Sequence, residues 1–194
     1  MIPGNQHSGI SAVTLPGEDL DSAILDLAAV LEGLVGDRFE ILLVGEARAV
    51  VDDLRARAPG LPLRTICGTS IADGCAAAAY DLIFVPSGDG QFDVRELNHL
   101  LDAIEHGADV AAGYRPRRMD VLVRQFQRWG WRVDVDCAFA LLRRQVWQDV
   151  ETTQPKEWCC AELLATARRH GYQVADVPVS HRRPTIGLET SRAA

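Results

Sequence analysis

The segment Asp81–Pro86, DLIFVP, constrains the fold more than any other stretch of this chain. Its central residues are all apolar, so a strand made from it needs cover on both faces of a sheet. Such a strand belongs inside a parallel or mostly parallel sheet. Phe39–Val44 (FEILLV) makes the same demand. Around these runs lie segments with apolar residues at helical spacing, the alternation expected of a doubly wound α/β fold with helices on both faces.

The other elements fall into that order. Ile10–Leu15 is expected as the first strand, and Asp19–Val35 as a helix on the spacing of Ile24, Leu27, Ala28, Leu31 and Leu34, ended by Gly36. A helix over Ala47–Ala58 stops at Pro59-Gly60, Leu63–Cys67 is a third strand, and Ile71–Tyr80 is an Ala-rich helix able to pack closely. Beyond DLIFVP, Val94–His106 reads as a helix and Ala108–Tyr114 as a strand. Met119–Trp131 has helical spacing, with Arg124, Arg128 and Arg132 in one row. Cys137–Leu142 is expected as a strand, Trp158–His170 as a helix and Gln173–Val179 as the last strand. No repeat or linker interrupts this series. Residues 1–194 are therefore expected to form one domain, with its core over 10–188 and a polar tail over 189–194.

Composition excludes several classes. The chain is 47% hydrophobic and 24% charged, ordinary globular values that do not fit wholesale disorder. No apolar run approaches the roughly 20 residues that span a bilayer, and no signal-peptide pattern is present. Cysteines at 67, 75, 137, 159 and 160 contain no CxxC, which suits reduced thiols in a cytoplasmic protein rather than a disulfide framework or a zinc site. Residues 1–97 carry 6 basic and 15 acidic side chains, and residues 98–194 carry 14 and 12. No broad basic surface results, so nucleic acid is not an expected partner. Six arginines fall between Arg115 and Arg132; their planar forks suit phosphate or carboxylate, and a solvated helix face would also account for them.

DLIFVP runs straight into Ser87-Gly88-Asp89-Gly90-Gln91-Phe92-Asp93. In open α/β sheets, ligands bind beyond the carboxyl ends of the strands, where strand order reverses. Asp89 and Gln91 stand two apart on an extended segment, so their oxygens can converge on a hard cation such as Mg²⁺ or Mn²⁺. Such ions keep several waters and complete their shell with substrate phosphates. The same string also reads as a polar strand-to-helix turn with Asp93 as an N-cap. Glu162, on the last helix, either faces this site or lies on the helix surface. Trp131 and Trp158 are the better candidates for stacking on a ligand ring, with Trp147 also possible and Trp129 placed in the core by its spacing.

These segments resemble a known family. SGDGQFD is similar to the DADGQFD of inverting family 2 glycosyltransferases of the GT-A fold, in the polyprenyl-phosphate sugar synthase (dolichyl-phosphate mannose synthase-like) group. GISAVTLPGED resembles the first strand of that family and FEILLVGEAR the second. ADVAAGYRPRR resembles its ADVVxGxRxxR turn, and VDVDCAFALLRR its DxDCGFKLFRR-type segment. CAELLATARRHGYQVADVPVSHRRPTIG resembles its ending, so six segments fall in the family's order. The resemblance implies a GT-A type, nucleotide-diphospho-sugar transferase-like fold. It also implies a nucleotide-sugar donor, a small-molecule or lipid-phosphate acceptor, and Mg²⁺ or Mn²⁺ as cofactor.

Site roles follow residue by residue from the resemblance. Asp89 and Gln91 would hold the metal. Glu18 and Glu46 would contact the donor nucleotide, Glu46 at the second acidic position of a VDD motif. Arg115, with Arg118 or Arg124, would neutralise phosphate, as would His181 with Arg182 or Arg183. Asp134 and Asp136 would face the acceptor, one of them as general base; Glu162 is a further catalytic candidate from its place on the last helix, not from the resemblance. The sequence departs from the family at Gly45 and Ser87, each where the family has Asp, and at Arg48 in place of Ser. An alternative expectation is therefore a diverged GT-A scaffold that no longer transfers sugar and has a repurposed catalytic or ligand-binding role.

Overall fold

The computed structural model describes residues 9–17, 19–86, 92–114, 139–151 and 160–180. Its strands are β1 (Ile10–Thr14), β2 (Phe39–Val44), β3 (Leu63–Ile66), β4 (Leu82–Val85), β5 (Val110–Tyr114), β6 (Ala140–Arg143) and β7 (Val174–Pro178). Its α-helices are α1 (Leu20–Val35), α2 (Arg48–Arg57), α3 (Ile71–Ala76), α4 (Leu97–Glu105), α5 (Arg144–Glu151) and α6 (Cys160–Arg169), with a 3₁₀ turn over Val94–Glu96 before α4.

The seven strands among the described residues form one sheet in the order β3-β2-β1-β4-β6-β5-β7. Only β6 runs against the rest, pairing Val85 with Ala140 on one side and Ala112 with Ala140 on the other. In the parallel part, Ile10 pairs with both Phe39 and Leu82, and Ala12 with both Ile41 and Phe84. Every residue of β1, β2 and β4 is buried, as the apolar runs require. The edge strands β3 and β7 are partly exposed. This is the doubly wound, mostly parallel architecture expected from the sequence.

Alternate residues of each strand feed two separate cores. Ile10, Ala12, Ile41, Leu43 and Phe84 pack under α1, α2 and α4 through Leu27, Leu31, Leu54, Leu97 and Leu100. Val13, Leu42, Val44, Ile83 and Leu142 pack under α3, α5 and α6 through Ile71, Cys75, Val146, Trp147 and Leu163. Trp147 is thus a core residue rather than a ligand-stacking ring. Helix α3 lies so close to the sheet that a Cβ on Gly74 would stand 2.2 Å from Val13 Cγ1 and 2.7 Å from Val44 Cγ2.

Two expectations are corrected. The Ala-rich helix was expected to reach Tyr80 but ends at Ala76. Buried side chains capture the following backbone: Ala79 N–H donates to Glu40 Oε1 at 2.8 Å, and Tyr80 N–H to Ser11 Oγ at 3.0 Å. Arg64 and Arg144 take the carbonyls of Ala77 and Ala79 at 3.1 and 3.2 Å. These long-range bonds outweigh the small helix preference of alanine. The second correction is α5, which the sequence reading left unassigned; Val146, Trp147 and Val150 form its buried stripe. The helix expected over Met119–Trp131 lies outside the described residues.

Candidate functional site

The sheet order fixes where a ligand site belongs. From β1 the chain moves outward to β2 and β3, then returns across β1 to β4. The crevice of such a reversal opens at the carboxyl ends of β1 and β4, here Thr14 and Val85. Pro86 directly follows β4 and so stands at that edge, with the Gly-rich segment next in sequence.

Connectivity carries the other candidate segments to the same edge. β5 and β7 run parallel to β4, so Tyr114 and Pro178 end there, while the antiparallel β6 starts there after Phe139. Val179 N–H donates to Tyr114 O at 3.0 Å, and Gly113 N–H to Phe139 O at 2.8 Å. Helix α6 turns through Gly171 (φ 88°) into β7, which places its first turn on this side.

Two of the expected site residues fall within the described structure. Glu46 is exposed at the end of β2, immediately after Gly45, whose φ of 115° lies in the region that favours glycine. Glu162 is exposed in the first turn of α6, where its charge also complements the helix dipole. Topology brings both to the same edge of the sheet. Glu18, Asp89, Gln91, Arg115, Arg118, Arg124, Asp134, Asp136, His181, Arg182 and Arg183 lie outside the described residues, as do Trp129, Trp131 and Trp158. Among the described residues no three His, Cys, Asp or Glu side chains cluster as a metal site.

The N-cap reading of Asp93 is correct: its carboxylate accepts from Arg95 N–H at 3.1 Å and starts the 3₁₀ turn. What the sequence reading missed is the packing beside it. Phe92 stacks on Phe139 with ring centroids 5.4 Å apart and planes 24° apart. Phe139 is fully buried and meets Phe84 of β4 edge to face at 5.2 Å. Three residues after Asp93, Glu96 Oε2 accepts from Ser180 N–H at 2.7 Å. The signal available beforehand was an aromatic in each of two strings, SGDGQFD and DCAFALL.

A predominantly parallel seven-stranded sheet, covered on both faces and with one antiparallel strand beside β4, is the architecture of GT-A glycosyltransferases. Among solved structures, the chain is similar to glucosyl-3-phosphoglycerate synthase from Mycobacterium tuberculosis. The match has a TM-score of 0.62 at 16% identity and covers 91% of this chain and 72% of that one. The complex of that enzyme with Mn²⁺ and UDP-glucose matches with a TM-score of 0.59 at 15% identity, over 92% and 73% of the two chains. Its complex with Mn²⁺, UDP and phosphoglyceric acid gives 0.61 at 15%, over 91% and 71%. At this identity the likeness is one of fold. No protein-family model matches the sequence, and no curated protein matches it. No helix among the described residues is long and apolar enough to cross a membrane.

Proposed function

We propose that this chain is a cytoplasmic, inverting glycosyltransferase of the GT-A fold, acting as one domain on a nucleotide-diphosphate sugar. The observation that carries the reading is where β4 ends, since the Gly-rich segment is next in sequence. That end, with Pro86 directly after it, lies at the carboxyl edge where β1 and β4 part. The fold shared with an enzyme crystallised with Mn²⁺ and UDP-glucose supports a uridine donor as the first to test. The acceptor is a small molecule or a lipid phosphate, the latter in keeping with the resemblance to polyprenyl-phosphate sugar synthases.

The donor set fits a hard divalent ion. Asp89 and Gln91 can each present a side-chain oxygen, the ligand type that Mg²⁺ and Mn²⁺ prefer. Bound there, the ion would offset charge on the donor diphosphate. Glu18 and Glu46 hold the nucleotide from the β1 and β2 ends. Arg115, with Arg118 or Arg124, and His181, with Arg182 or Arg183, present cationic donors to the phosphates, a role that suits Arg's planar fork. Asp134 or Asp136 takes the acceptor proton as the acceptor oxygen attacks the anomeric carbon, whose bond to the diphosphate breaks and releases the nucleoside diphosphate; Glu162, on the same edge, is the third carboxylate to test. Orientation and charge neutralisation supply most of the barrier lowering in this scheme.

Isothermal titration of UDP-, GDP- and dTDP-sugars in the presence of Mn²⁺ tests the reading. Binding of one class with a metal requirement supports it, and no binding by a folded protein overturns it. Gly45 and Ser87, where the resembled family has Asp, favour a second reading: a repurposed GT-A scaffold. Under that reading Asp89→Ala leaves the protein's activity unchanged.

A further inference from the structure

The short stretch Phe92–Glu96 touches more of the carboxyl edge than its length suggests. At one end, the Phe92 ring lies on Phe139, which is fully buried against Phe84 of β4. At the other end, Glu96 holds Ser180 N–H at 2.7 Å, the last described residue beyond β7. Between them Asp93 caps the 3₁₀ turn, and Val94 packs on the core beneath α1 and α4. Phe92 is covalently next to Gln91, Phe139 precedes β6, and Ser180 precedes His181. Phe92, Phe139 and Ser180, each next in sequence to a segment that carries proposed site residues, therefore meet within or against this five-residue stretch.

We propose that Phe92 and Glu96 are positioning residues for donor binding, forming a brace that fixes Phe92 and Ser180, the sequence neighbours of Gln91 and His181. The inference rests on the donor-site reading above. Stacked aromatics prefer the offset geometry seen here, so the Phe92 ring has one favoured seat on Phe139. A carboxylate accepting a backbone N–H makes a charge-assisted bond, stronger than a neutral one. Groups that orient a metal's ligands without touching the ion typically change its affinity about 10- to 100-fold when removed. Neither Phe92 nor Glu96 is required to touch ligand.

The test measures Mn²⁺–UDP affinity by titration and Ser180 amide exchange by NMR, well below the melting temperature. Wild type is compared with Phe92→Ala, Phe92→Tyr, Glu96→Ala and Glu96→Gln. Phe92→Ala and Glu96→Ala are expected to weaken Mn²⁺–UDP by about tenfold. Phe92→Tyr keeps the stacked ring and Glu96→Gln keeps the acceptor oxygen, so both should bind like wild type. Ser180 exchange should rise in Glu96→Ala and not in Glu96→Gln. Alanine variants that bind Mn²⁺–UDP as tightly as wild type, while Ser180 exchange rises in Glu96→Ala, overturn the brace and leave the donor site standing. A folded wild type that binds no Mn²⁺–UDP overturns the donor-site reading, and the positioning role with it.

Discussion

Ser11 and Glu40, 29 residues apart and both buried, are joined by a 2.7 Å hydrogen bond from Ser11 Oγ to Glu40 Oε1. The pair sits toward the amino ends of β1 and β2, away from the ligand edge. Each partner also receives a backbone donor from the chain entering β4, and Glu40 Oε2 lies 3.0 Å from Arg64. A buried carboxylate with all these partners is tolerable; one stripped of them is not. The network ties β1, β2, β3 and the approach to β4 into one unit.

Glu40→Ala should therefore destabilise the protein by about 2–3 kcal/mol, because Ala79 N–H and the Ser11 hydroxyl lose their shared acceptor in a buried place. Ser11→Ala should cost about 1–2 kcal/mol. Urea unfolding of both variants and the double variant checks this. The double variant should lose less than the sum, since the two residues share one network.

Gly74→Ala reverses the usual helix preference. Alanine is the better helix former by roughly 1 kcal/mol. Here its methyl would stand 2.2 Å from Val13 Cγ1, inside the core. Overpacking of this kind costs about 1–3 kcal/mol, so a lower melting temperature is expected by calorimetry.

Tyr172 donates its phenol hydrogen to Asp149, and this bond, with a smaller effect of burial, holds the phenol above its ordinary value of 10.0. A raised acid pKa stabilises the fold while the group is protonated. The contribution is complete below the ordinary phenol range and is lost as pH rises through the raised value. Tyr172→Phe should be less stable than wild type at pH 7 to 9, and the difference should shrink as wild type ionises above pH 10. Denaturant titrations across that range measure it.

Among the carboxylates, replacing the base should lower kcat by about 10²–10⁴-fold, the usual share of general base catalysis. That loss is expected for Asp134→Asn or Asp136→Asn. Glu162→Gln should leave kcat unchanged, because an exposed first-turn Glu already has a role at the α6 amino end. Steady-state assays of the three variants decide which carboxylate takes the proton.

The sheet was legible because ISAVT, FEILLV and LIFV bury both faces, and their mostly apolar runs declare such strands despite Ser11, Thr14 and Glu40. The end of α3 was not. Alanines 76–79 favour a helix locally, and side chains distant in sequence, Ser11, Glu40, Arg64 and Arg144, take the backbone away. Helix α5 was missed because its apolar stripe is three residues, Val146, Trp147 and Val150, beside a strand ending in Arg143. At the site, the cap at Asp93 was readable from its position after the Gly-rich string and before an apolar helical pattern. The stack of Phe92 on Phe139 joins residues with no periodic relation, and only the folded sheet brings them together.

The central claim is that a divalent ion and a nucleotide diphosphate are held beyond the ends of β1 and β4. A crystal structure with Mn²⁺ and UDP, phased for manganese anomalous scattering, tests it most directly. The account requires one manganese peak at coordination distance, about 2.1 Å, from an Asp89 oxygen, with the diphosphate between it and Arg115. Anomalous density elsewhere on the molecule, or diphosphate bound away from Asp89 and Arg115, would contradict it.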